Sequence, residues 1–213
     1  MPESLLYLMR HGRAGPPGIL LGRTDPPLSP SGEAEVLAWR PFFRDRPLDA
    51  VWTSPLLRAR RTAELLRGPE DPAPVTVEAF REISLGAWEG LTSRQARDLD
   101  PHIWVARGKD PSQAPPGGES FSDLSRRALP AFAALGRQIR TLRAALLVAH
   151  QAVNRILLAA VLGLGPGAAL SIPQDYARLT ILAFGPESVR ILARNLPPPA
   201  AGEKFLASSP RGL

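Results

Sequence analysis

Cysteine is absent from all 213 residues, which excludes a disulfide framework, a thiolate metal cluster and a cysteine nucleophile. Histidine occurs only at positions 11, 102 and 150, without the close spacing that metal ligands need. Lysine occurs only at 109 and 204, so the net charge of +6 rests almost wholly on arginines scattered along the chain. No aromatic residues interleave with those arginines and no basic helix gathers them, so a nucleic-acid partner is not expected. No apolar run reaches the length of a membrane span, and the start, Met1-Pro2-Glu3-Ser4, has no basic n-region. The expectation is a cytoplasmic protein with no membrane association. At 44% hydrophobic content the chain can bury one sizeable core, and nothing divides it into comparable halves.

What is present is a set of polar residues at the ends of apolar runs. Leu5-Leu6-Tyr7-Leu8-Met9 runs directly into Arg10-His11-Gly12, and Leu146-Leu147-Val148-Ala149 ends at His150 before a helix-like stretch over 152–164. A third run, Leu48-Asp49-Ala50-Val51-Trp52, stops at Thr53-Ser54-Pro55, where Ser54 reads as a helix cap and Pro55 as an early helical position. The first turn of that helix carries Arg58. In open α/β sheets, ligands bind beyond the carboxyl ends of the strands, and a helix amino end favours anions. Three strand ends therefore supply Arg10, His11, Arg58 and His150. Guanidinium groups match phosphate oxygens bidentately and stay protonated, so the natural guest is a phosphoryl group.

Phosphate-monoester chemistry also needs an acid for the leaving group. The stretch Arg81-Glu82-Ile83-Ser84-Leu85-Gly86-Ala87-Trp88-Glu89-Gly90 offers Glu82 and Glu89. Either serves on chemistry alone. Glu82 is preferred because it lies nearer the strand at Val75-Thr76-Val77, beside Ile83 and Leu85, which would desolvate it. Arg60 and Arg61 read as a solvated helix face, Trp88 as core packing, and His102 has neither strand context nor partners.

Together these residues resemble the histidine phosphatase superfamily, whose best-known branch is the cofactor-dependent phosphoglycerate mutases. The resemblance runs over residues 5–195 and rests on several motifs in order. These are Arg10-His11-Gly12; Gly22-Arg23-Thr24-Asp25 with Gly32; Thr53-Ser54-Pro55-Leu56 with Arg58; Glu82 with Trp88-Glu89-Gly90; Pro116-Gly117-Gly118-Glu119-Ser120; and Val148-Ala149-His150. It implies His11 as a nucleophile forming a phosphohistidine, with Arg10, Arg58 and His150 on the equatorial oxygens and Glu82 as acid then base. It also sets Gly22, Arg23 and Gln151 against the substrate. No metal and no cofactor are required, and the expected partner is a small phosphorylated substrate, with a homodimer compatible.

The implied fold is α/β, a doubly wound, mainly parallel sheet flanked by helices, phosphoglycerate mutase-like, with a C-terminal antiparallel edge hairpin. Helices are expected from Ser29-Pro30 to Trp39, where Pro41 ends the first, then over 58–67, 93–105 and 120–142. Runs at 179–184 and 189–192 form the hairpin around Gly185-Pro186-Glu187-Ser188. Residues 1–196 read as one domain and 197–213 as a Pro-rich mobile tail. Only 68 positions separate Glu82 from His150, too few for the insertion that mutases of this family carry. The reading is therefore a phosphomonoesterase. The alternatives are mutase-type phosphoryl transfer and a non-catalytic phospho-ligand module, the latter disfavoured because nucleophile, acid and arginines are all in place. His150-Gln151-Ala152-Val153 with Arg155 resembles the fructose-2,6-bisphosphatase branch.

Overall fold

The computed structural model describes residues 3–199. Chain order begins with β1 (Ser4–Arg10), then β2 (Ala50–Thr53), β3 (Val75–Thr76), β4 (Ala144–Ala149), β5 (Leu179–Phe184) and β6 (Val189–Leu196). All six residues of β4 are apolar and buried, the pattern of a strand covered by helices on both faces. It lies at the centre of one sheet of order β3-β2-β4-β1-β5-β6, parallel to both β1 and β2. β5 and β6 add antiparallel at one edge, the expected hairpin, though β6 runs to Leu196 with register shifts in its pairing. The sheet is thus mainly parallel with an antiparallel edge.

Side chains of successive strand residues point to opposite faces. Tyr7, Met9, Leu146 and Val148 therefore join one apolar layer, and Leu6, Leu8, Ala145 and Leu147 the other. The first layer is covered by α1 (Pro30–Leu37), α2 (Arg40–Arg44) and α3 (Leu57–Leu66), whose Val36, Phe42, Phe43, Ala59 and Ala63 pack into it. The second is covered by α6 (Phe121–Ile139) and α7 (Gln151–Val161). α4 (Ser93–Leu99) and α5 (Pro101–Arg107) precede α6 in the chain.

Prolines account for the boundaries that differ from expectation. The first helix closes at Leu37, and Pro41 sits in the opening turn of α2 rather than ending α1, since its missing N–H is no loss there. The stretch expected as one helix over 93–105 is two. Pro101 forces Asp100 to an extended φ of −144°, and the Asp100 side chain then caps α5 by accepting from Ile103 N–H at 3.1 Å. α3 starts at Leu57, two residues after Pro55, while Ser54 Oγ accepts the Leu56 N–H at 3.3 Å. The long helix spans Phe121–Ile139, entered through a reciprocal pair of hydrogen bonds between Ser120 and Asp123. Residues 200–213 of the expected tail lie outside the described residues.

Parallel pairing has one consequence for chemistry. The register sets Arg10 beside Ala149 and Thr53 beside Val148, so the carboxyl ends of β1, β2 and β4 share one edge. The segments that follow each strand leave from there.

Candidate active site

His11 leaves β1 with its backbone tied on both sides, its N–H to Ala149 O at 3.1 Å and its carbonyl to Ala177 N–H at 3.2 Å. The ring Nδ1 lies 2.7 Å from Gly12 O. A carbonyl only accepts, so Nδ1 carries the proton and Nε2 keeps its lone pair. Gly12 permits the sharp approach of α1, since a Cβ there would stand 2.6 Å from Gly32 O. His150 begins α7, with its ring centroid 4.9 Å from that of His11. Its Nε2 is hydrogen-bonded with Ser54 Oγ at 2.7 Å, and Ser54 Oγ also accepts the Leu56 N–H. His150 Nδ1 is buried without a protein partner.

Arg58 is wholly buried, and its shortest hydrogen bonds run to uncharged acceptors. Nη2 donates to Gly22 O at 2.8 Å, Nη1 to Thr24 O at 2.7 Å, and Nε to His11 Nε2 at 3.3 Å; Asp25 stands farther off at 3.4 Å. Arg10 donates through Nη1 to Gln174 O at 2.7 Å and stacks its guanidinium 3.6 Å from the centre of the Tyr176 ring. Buried charges are ordinarily paired with opposite ones. Here two guanidinium groups are buried mainly on carbonyls and a ring face, which leaves a strong positive field around His11.

That field, with burial, sets the imidazoles. Burial is the largest cause holding His11 well below the ordinary histidine value, with Arg58 and Arg10 adding to it and the Gly12 bond opposing. His150 is depressed in the same way, by burial and then by His11, Arg58 and Arg10. Both rings are neutral near pH 7. The unfolded chain takes up these two protons below the ordinary histidine value of 6.5, and the fold does not, so stability is full above that pH and falls below it. Urea unfolding at pH 7.5 and 5.5 should differ by roughly 3 kcal/mol, each ring contributing about 1.4 kcal/mol over that window. A midpoint unchanged over that window would contradict two buried neutral rings.

The two candidate acids occupy different surroundings. Glu82 is buried beside Ile83 and Leu85, with Oε1 accepting from Ile83 N–H at 2.9 Å and Oε2 from Ala152 N–H at 3.3 Å in the first turn of α7. It lines the same cleft as Arg10 and His11. Glu89 is turned into the loops, accepting from the N–H groups of Gly22, Arg23, Thr24 and Leu85 and from Thr24 Oγ. Burial pushes its carboxyl up, but the bonds from Arg23, Leu85 and Gly22 outweigh burial and hold it below the usual range. The contact is close: a Cβ on Gly22 would stand 2.3 Å from Glu89 Oε1.

The structure therefore brings Arg10, His11, Arg58, Glu82 and His150 to one sheet edge. Gln151 lines the cleft and donates to Gln174 O at 3.2 Å. Gly22 faces Arg58 through its carbonyl. The Arg23 side chain lies on Glu119 at 3.1 Å and does not reach the cleft lining. Trp88 packs in the core against Trp104. Two cleft residues carried no sequence signal. Tyr176 comes from an aperiodic loop far from Arg10 in sequence, and Arg107 closes α5 like any basic residue in a last turn. Arg155 carried only the branch resemblance.

A mainly parallel sheet with paired histidines and buried arginines at its carboxyl edge defines an α/β protein built to hold an anion beside a ring nitrogen. Residues 6–197 match the histidine phosphatase superfamily (branch 1), and the chain belongs to that family. It is 33% identical over 195 residues to a bifunctional protein of Mycobacterium tuberculosis, covering 88% of this chain and 53% of that protein, so it spans about half the length of that curated relative. Among solved structures, Bacillus stearothermophilus YhfR is 30% identical with a TM-score of 0.80, covering 89% of this chain and 95% of that one. The mycobacterial glucosyl-3-phosphoglycerate phosphatase is 27% identical with a TM-score of 0.78, covering 91% and 99%.

Proposed function

We propose that the chain is a metal-independent phosphomonoesterase acting through a phosphohistidine on a small phosphorylated metabolite. The observation that carries this reading is His11 Nε2: it is deprotonated and buried, with Arg58 Nε 3.3 Å away and the His150 ring beside it. In the first step, Nε2 attacks phosphorus in line, the P–O ester bond breaks, and Glu82 gives its proton to the departing alkoxide. In the second, Glu82 takes a proton from water, the resulting hydroxide displaces Nε2, and inorganic phosphate leaves with His11 restored. Arg10, Arg58 and His150 hold the equatorial oxygens and take up the charge that develops there. Similarity to a phosphatase of glucosyl-3-phosphoglycerate supports hydrolysis over transfer between substrates. A cleft of about 170 Å³ lies below the roughly 300–1,000 Å³ of sites for larger ligands, which favours a small substrate.

Among the described residues no three His, Asp or Glu side chains group as metal ligands, and the arginines already supply the neutralising charge. Phosphate release from a metabolite panel should therefore proceed in excess chelator at no less than about half the untreated rate. Loss of activity in chelator, restored by magnesium or zinc, would overturn the metal-independent mechanism.

A further inference from the structure

Arg10 reaches the candidate site without a carboxylate partner. It forms no ion pair among the described residues, its side chain donates only through Nη1 to Gln174 O at 2.7 Å, and its buried Nε has no hydrogen-bond partner. What covers it is a ring. The centre of Tyr176 lies 3.6 Å from the guanidinium carbon, the distance of a face-on stack, and 5.6 Å from the centre of the His11 ring. Arg13 also lies over Tyr176, farther off at 5.4 Å, but its Nε is spent on Glu35 at 2.7 Å. The Tyr176 hydroxyl makes no hydrogen bond among the described residues. The ring is half-buried and lines both the catalytic cleft and a neighbouring cavity of about 470 Å³. The backbone that presents it is tied on both sides. Asp175 N–H donates to Asn195 Oδ1 at 2.9 Å, Ala177 N–H to His11 O at 3.2 Å, and Ala177 O accepts from Trp39 Nε1 at 2.8 Å.

A carboxylate beside Arg10 would take the same in-plane N–H groups that a phosphoryl oxygen needs, and would cancel part of the charge that stabilises the transition state. An aromatic face attracts the cation from above its plane and takes no N–H at all. We propose that Tyr176 is a positioning residue, whose ring face holds the Arg10 guanidinium so that its open N–H edge meets the phosphoryl group with its charge undiminished. The phosphoryl guest is that of the phosphomonoesterase reading, on which this role rests. The face does the holding, and the hydroxyl takes no part.

Inorganic phosphate is the probe, because its binding needs no turnover. Titration calorimetry gives its affinity for the unaltered protein and three variants, at a temperature where urea unfolding shows each to be folded. Tyr176→Phe keeps the face, and its affinity should stay within about threefold of the unaltered protein. Tyr176→Leu fills much of the same volume without a face and should bind phosphate about 5- to 30-fold more weakly, the scale of a desolvated cation–π contact. Tyr176→Glu supplies the in-plane partner that the ring avoids and should bind at least as weakly as Tyr176→Leu. A ring needed only for packing would lower the urea midpoint of Tyr176→Leu and leave its phosphate affinity where it was. The role is overturned if Tyr176→Leu binds phosphate within about twofold of the unaltered protein, if Tyr176→Phe loses as much as Tyr176→Leu, or if the unaltered protein binds no phosphate. Phosphate release from a metabolite panel is measured alongside. If the affinities follow the expected order without release, the phosphatase reading fails and the role of Tyr176 stands; release with equal affinities has the opposite meaning.

Discussion

His11→Ala should lower phosphate release by at least about 10⁴-fold, the scale on which losing a covalent nucleophile is felt. The size follows from what the remaining groups can do. Arg10, Arg58 and His150 still bind the phosphoryl group and stabilise charge, but water must then attack the ester directly. Wild-type protein quenched during turnover should carry phosphate that is labile in acid and stable in base, and the variant should carry none. The substitution leaves the strand end in place, because the hydrogen bonds that tie residue 11 to β4 and to Ala177 come from its backbone N–H and carbonyl. The ring itself contributes only the Nδ1 bond to neighbouring Gly12 and the contact with Arg58 Nε. Lost activity therefore reports chemistry rather than unfolding. A variant that keeps even a tenth of the rate would sink the phosphohistidine route.

What could be read from the sequence was whatever depends on strand ends. β1 and β4 are apolar runs that pass at once into a histidine, and parallel pairing then brings His11 and His150 together without any further information. Arg58 was legible for the same reason, since a helix leaving β2 carries it in its first turn even though that helix starts two residues later than its proline suggested. Tyr176, Arg107 and the Arg23–Glu119 pair were not legible. Each depends on how loops and a short helix fold over the sheet edge, and loop contacts obey no period. Ala177, at φ +50°, turns the chain beside the Tyr176 that stacks on Arg10, and it is held there by hydrogen bonds to His11 O and from Trp39 Nε1. Nothing in an alanine announces a left-handed backbone.

The division of labour between the two carboxylates is open to the same kind of test. Glu82→Gln preserves volume and keeps one of the two acceptor oxygens now taken by the Ile83 and Ala152 N–H groups, but it cannot act as the acid. A phosphomonoester with a poor alkoxide leaving group should slow by about 10²- to 10⁴-fold, the usual worth of general acid catalysis. An activated aryl ester needs less help, so the penalty should shrink as the leaving-group pKa falls, provided phosphoenzyme formation limits the rate. Glu89→Gln should show no such trend. Its carboxylate accepts from Gly22, Arg23 and Leu85 N–H groups, and Gly22 in turn gives its carbonyl to Arg58. Weakening that brace should disturb Arg58 equally for every leaving group and lower all rates by a similar factor. If Glu89→Gln instead carries the leaving-group dependence, while Glu82→Gln lowers every substrate alike, the two residues exchange roles and the proton must reach the ester from the Gly22–Thr24 loop.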